Sequence, residues 1–213
     1  MSGCGRSRVN AWTAAIMAAA LSMMPLNGYP DDDMVDFSDQ LVPVCDVFGL
    51  LATPPADWFA VPKEGLPEQL AGCQMMRTGP AEELVGIIRI SGSRVRDGKP
   101  GVDSRQRHIL FEIEVLRNMG IVLDLEEPLW SRDSVPLADV GAAGFSDAAQ
   151  ALGYRAVIVD TRTPQEVHLL TFHGPATQYA LVLITPPRFM EEDIYQRNTT
   201  DFGRVLGTLD MEP

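Results

Sequence analysis

The chain is expected to fold as an α+β protein, an antiparallel sheet packed with helices that include a long C-terminal one. Three observations predict this. Segments rich in β-branched and aromatic residues outnumber segments with helical period. Neighbouring strand segments are separated by turn-length stretches, which join antiparallel partners. Only two long stretches, one central and one terminal, keep apolar residues at the 3.6 spacing of a helix covering a sheet.

Residues 58–61 and 73–77 read as short strands, and 84–90, Leu-Val-Gly-Ile-Ile-Arg-Ile, as a strand apolar enough to be central. Ser91-Gly92-Ser93 onward reads as a loop. The spacing of Ile109, Leu110, Ile113, Leu116 and Met119 predicts a helix over 105–119, with Asp103 or Ser104 as its N-cap and Gly120 as its C-terminal stop. Residues 121–125 and 129–132 give strand signals interrupted by Pro128. A short helix near 148–151, capped by Ser146 or Asp147, would precede a strong strand over 153–161. The terminal helix is expected over about 190–209, its stripe formed by Ile194, Asn198, Phe202, Val205, Leu206 and Leu209.

Two of the three histidines, His168 and His173, lie in one strand-like run, 166–173, which a turn at 174–178 connects to a second run over 179–185. Side chains of a strand alternate between faces, so residues five apart point to opposite sides. Val167, Leu169, Thr171 and His173 fall on one face, and Glu166, His168, Leu170 and Phe172 on the other. The pair is therefore not expected to share a metal ion.

Composition narrows the function classes. With 46% hydrophobic and 22% charged residues the chain is globular in type. A net charge of −12 excludes the lysine and arginine surplus that a nucleic-acid binder needs. Residues 1–28 carry no Asp or Glu, hold Arg6 and Arg8, and then run apolar over 11–24, as the basic and hydrophobic regions of a signal peptide do. That run falls short of the roughly 20 residues of a membrane span. The competing reading is a buried first helix. Ala20-Leu21-Ser22 offers one cleavage site and a cut near Gly28 another. An acidic, Pro-rich leader is expected over 29–55, becoming ordered near 44–51, with the α+β domain over 56–213. Once residues 1–28 are removed, Cys45 and Cys73 are the remaining cysteines, expected as a disulfide in an oxidising compartment or, alternatively, as two buried thiols.

The opening Trp58-Phe59-Ala60-Val61-Pro62, the strand Tyr179-Ala180-Leu181-Val182-Leu183-Ile184 and the final helix ending over 202–209 together give an order of elements that resembles the PsbP-like fold. PsbP, DcrB and Eag-type chaperones share that fold. The resemblance covers about residues 56–210 and implies a binding or assembly module with no catalytic residue to carry over.

The motifs agree with that implication. Gly144-Phe145-Ser146-Asp147-Ala148 lacks the second glycine of a hydrolase elbow, and the sequence has no Walker loop, dinucleotide fingerprint, C-x-x-C or H-E-x-x-H. No cofactor and no metal are expected. Asn198-Thr199-Thr200 matches a glycosylation sequon but sits in the expected helix. Pro128-Leu129-Trp130-Ser131-Arg132-Asp133 is the unusual segment, because Trp130, Arg132 and Asp133 combine aromatic area with planar and charged hydrogen bonding. They are the candidate binding residues; the plainer reading is a core tryptophan beside a surface ion pair. The expectation is an exported envelope protein, periplasmic or secreted, that binds another protein, as an immunity protein or assembly factor would. The rivals are an envelope hydrolase using groups such as His173 and Asp160 with a serine, and a cytosolic chaperone of the Eag type.

Overall fold

The computed structural model describes residues 41–63, 66, 68, 70–80, 83–95, 102–136, 148–174 and 176–211. The expected signal peptide and cleavage sites, and the Ser146 or Asp147 cap, lie outside the described residues.

In chain order the elements are β1 (Cys45–Val47), β2 (Leu50–Ala52), β3 (Phe59–Pro62), β4 (Leu70–Thr78), β5 (Leu84–Arg94), α1 (Val102–Asn118), β6 (Ile121–Leu123), β7 (Trp130–Pro136), β8 (Ala148–Ile158), β9 (Thr163–His173), β10 (Thr177–Thr185), α2 (Glu192–Gly207) and β11 (Asp210–Met211). Eight strands form one antiparallel sheet in the order β3-β4-β5-β10-β9-β8-β6, with β7 sharing the outer edge of β8. A small second sheet has the order β1-β2-β11.

Both faces of the large sheet are covered, which is why its central strands are apolar without alternation. Every residue of β10 is buried. On one face Leu116 and Met119 at the end of α1 share a core with Val167, Leu169, Ala180 and Val182. On the other, Phe202, Val205 and Leu206 of α2 join Met75, Ile88, Leu181 and Leu183. Cys45, Val47 and Leu50 of the small sheet are fully buried in that same second core. The boundary expected at residue 56 therefore falls inside the folded unit, since β1 and β2 are part of its packing.

The β1–β2 hairpin turns through Phe48 and Gly49, both at positive φ (53° and 80°), the geometry of a tight turn matched to strand twist. Phe48 is strained there. It is held by the Tyr179 hydroxyl, which donates to its carbonyl at 3.2 Å, and by the Arg94 guanidinium, 4.6 Å from its ring centroid. Gly120, at φ 76°, ends α1 as expected.

Three expectations fail for identifiable reasons. Ser91, Gly92 and Ser93 continue β5 instead of forming a loop, because they pair with β10 on one side and β4 on the other. Gly92 is required there: a Cβ would stand 2.9 Å from Val47 Cγ1. Residues 148–151 belong to β8, not to a helix, since pairing with β7 and β9 outweighs the helix propensity of alanine. Asp103 and Ser104 lie in the first turn of α1 and not before it.

The C-terminal helix buries Asn198, Phe202, Val205 and Leu206 of the expected stripe and adds Asp201, while Ile194 is half-buried and Leu209 is buried just past the helix end. Asn198 is not available for glycosylation. Fully buried, it donates to the Val85 carbonyl at 2.7 Å and to Thr185 Oγ1 at 2.9 Å. Asp201 accepts from Trp58 Nε1 (3.0 Å) and Arg204 (2.8 Å) and lies 3.8 Å from Arg77, so its buried charge is matched.

Cys45 and Cys73 form a disulfide that joins β1 to β4 across 28 residues. The chain-entropy relation gives a loop of this length about 3–4 kcal/mol. The double variant Cys45→Ala, Cys73→Ala should lose about that much unfolding free energy in urea. Two alkylatable thiols in the native oxidised protein, or a loss below about 1 kcal/mol, would contradict the role given to the bridge.

Candidate functional site

The β9 register is regular against both neighbours, so His168 and His173 do point to opposite faces. His168 lies on the α2 face, at the margin of what α2 covers, with its ring centroid 5.9 Å from that of Tyr195. The pairing lays out that face residue by residue. Gly153, Arg155 and Val157 of β8 stand opposite His168, Glu166 and Pro164 of β9. On the outer side, Trp130 of β7 stands opposite Gly153 and Val122 of β6 opposite Val157.

Trp130 is positioned from two sides. A Cβ at Gly153 would meet the indole Nε1 at 2.3 Å, so only glycine leaves room for the ring to lie across β8. His168 meets the indole edge-on, with ring centroids 5.3 Å apart and planes at 88°. His168 is held in turn by its Nε2, 2.8 Å from Glu166 Oε1. The same oxygen accepts from the Tyr195 hydroxyl of α2 at 2.9 Å.

Burial alone would raise the Glu166 pKa, but the hydrogen bonds from His168 and Tyr195 and the nearby imidazole charge outweigh it and hold the carboxyl below its usual range. An ionised Glu166 only accepts, so His168 Nε2 carries a proton. Tyr195 is pushed up to about 12 by burial first, then by its bond to Glu166 and that group's charge. It stays protonated near neutrality. The cluster therefore fixes aromatic surfaces in place and presents no activated nucleophile.

Of the candidate residues, Trp130 is half-buried and Arg132, two positions along β7 on the same face, is exposed. Asp133 stands at the register shift between Arg132 and Val135, and its side chain is outside those described. Glu166, His168 and Tyr195 complete the site from strands and a helix far apart in sequence. The one local sign of them was the placement of Glu166 and His168 on a common strand face.

A second cluster lies under α1. Ser91 Oγ donates to Glu112 Oε1 at 2.6 Å, and its distance to His108 Nε2 is 3.1 Å. With its hydroxyl hydrogen directed at the carboxylate, Ser91 accepts from His108, so the imidazole is not a base toward the serine. Arg89 lies 3.7 Å from Glu112 Oε2. All four side chains are buried. These are the residue types of a hydrolase triad in a different connectivity, and they fasten the helix to the sheet. The triad residues named from sequence do not meet: Asp160 is in the β8–β9 turn and His173 at the far end of β9, roughly 30 Å away at the rise of a strand.

No protein-family model matches the chain, and no curated protein matches it. Among solved structures, the solution structure of cyanobacterial PsbP (CyanoP) from Synechocystis sp. PCC 6803 is similar over 88% of this chain and 99% of its own, with a TM-score of 0.51 and 12% identity. The fold is PsbP-like.

The α2 layer of this sheet stops short of β8. Among the described residues no helix is long and apolar enough to cross a membrane, and no group of three or more His, Cys, Asp or Glu side chains could hold a metal ion.

The buried histidine makes stability pH-dependent. Burial lowers the His108 pKa, with Glu112 opposing. Below about 6.5 the unfolded chain takes up a proton that the folded chain resists, so this contribution is complete above that pH and is lost as the pH falls toward the folded value. The thermal midpoint should fall between about pH 7.5 and about pH 5.5, and fall less in His108→Gln. An NMR titration placing the His108 pKa above about 6.5 would contradict the assignment.

Proposed function

We propose that this chain is an exported, non-catalytic envelope protein, periplasmic or secreted, that binds another protein through the sheet end centred on Trp130. The observation that carries the reading is the seating of Trp130 against Gly153 and His168 with part of the indole left open. A large aromatic surface already fixed in one orientation loses little freedom on association, which is the property of an interface anchor. Arg132 on the same strand face adds a planar donor group at its rim.

Two features support that compartment. The Cys45–Cys73 bridge belongs in an oxidising environment, as does a chain that opens with a signal-peptide pattern. It weighs against the cytosolic chaperone reading. An immunity protein or an assembly factor fits the same description.

The test is affinity capture from envelope extract with the full chain as bait, using wild type, Trp130→Ala and Arg132→Ala, each checked for native circular dichroism. A specific partner should be retained by wild type and lost about tenfold or more with Trp130→Ala, the range of an interface anchor. Retention unchanged by both substitutions would overturn the proposal. So would hydrolytic turnover that disappears in His173→Ala with no stable partner captured.

A further inference from the structure

Among the described residues, seven of the ten exposed large hydrophobic side chains gather at one end of the sheet. Val122 and Val157 are a cross-strand pair on the open face, and Val159 follows β8 directly. Leu125 and Leu129 belong to an excursion of the edge. Asp124 N–H still bonds the Arg155 carbonyl and Leu129 N–H the Gly153 carbonyl, while residues 125–128 leave the ladder between them. Phe189, 82% exposed, and Met190 lie in the β10–α2 loop, which departs at Thr185 opposite Glu166 and so stands at the same end. Scattered apolar residues need no explanation, but a gathering of this kind marks an interaction surface.

Its rim is acidic. Asp124, Glu126 and Glu127 flank it on the edge excursion, Asp160 in the β8–β9 turn, and Glu191 and Asp193 at the start of α2, all exposed. The opposing charges are fewer: Arg155 and Arg162 are exposed there, and Arg188 is engaged by Glu192 at 2.7 Å. A second copy of a chain with net charge −12 would bring the same sign against this rim.

We infer that the Val122–Val157 face with its Asp124–Glu127 rim docks a basic amphipathic segment of the partner, whose apolar side covers the valines and whose lysine or arginine residues meet the rim. This rests on the binding reading above and adds the chemistry of what is bound. Apolar contact supplies the core of the interface, and charge complementarity steers the approach and selects the partner.

The test uses a short synthetic peptide of leucine and lysine patterned as an amphipathic helix, with a leucine–glutamate peptide of the same pattern as control. Binding to the full chain is followed by fluorescence anisotropy. Val157→Arg and Leu110→Arg both alter exposed positions, the second on α1 at the opposite face, and each is checked for native circular dichroism. The lysine peptide should bind wild type, weaken with added salt, and weaken about tenfold in Val157→Arg while Leu110→Arg binds as wild type does. Equal affinities for both variants would show diffuse charge attraction and overturn the inference, as would equal binding of the glutamate peptide or no binding of the lysine peptide. Dimerisation abolished by Val157→Arg would assign the face to a second copy instead. If Trp130→Ala loses the captured partner while the lysine peptide fails to bind, the binding face stands and this inference alone falls.

Discussion

Eight consecutive residue pairs between β5 and β10, from Thr177 opposite Arg94 to Ile184 opposite Ile87, join the two halves of the chain. The first half contributes β3, β4 and β5, the second β8, β9 and β10, and this antiparallel seam makes them one sheet. It closes a long loop, so its entropic cost must be offset by burial on both faces. Tyr179, Leu181 and Leu183 point into one core, Ala180, Val182 and Ile184 into the other. A leucine buried as fully as Leu181 is worth on the order of 2–5 kcal/mol by truncation.

The rest of the architecture answers that demand. α1 crosses beneath one face on its way from β5 to the outer strand β6, and its polar stripe of His108 and Glu112 finds Ser91 and Arg89 on the seam strand itself. The opposite face takes α2 together with the small β1-β2-β11 sheet, which the disulfide ties to β4. These cover β4, β5 and β10 and leave β8 with its outer neighbours open on that side. Arg155 and Val157 are exposed there, and Trp130 is half so. The face proposed for binding is thus a consequence of where the second layer ends.

Much of the seam was legible in the sequence. The nearly continuous apolar character of 84–90, broken only by Arg89, marks a central strand, 179–185 reads as a strand, and the odd spacing of His168 and His173 already separates them. What stayed hidden was decided by distant partners. Ser91-Gly92-Ser93 has turn composition, yet two neighbouring strands hold it extended. Alanine-rich 148–151 has helical composition and is overruled by β7 and β9. Of the site, Trp130 and Arg132 stood out as chemically unusual, whereas the Glu166–Tyr195 bond joins residues 29 apart and leaves no local sign. The Ser91–His108–Glu112 cluster was hidden because its serine has turn composition and read as part of a loop.

The open end of the sheet, and not the α1 face, is the surface proposed to meet the partner. Hydrogen–deuterium exchange of the full chain, free and with the captured partner, reads this directly. Backbone amides over 121–132, 153–159 and 186–195 should gain protection while 105–118 remain unchanged. Protection concentrated on α1, with the Trp130 segment exchanging as in the free protein, would contradict the account.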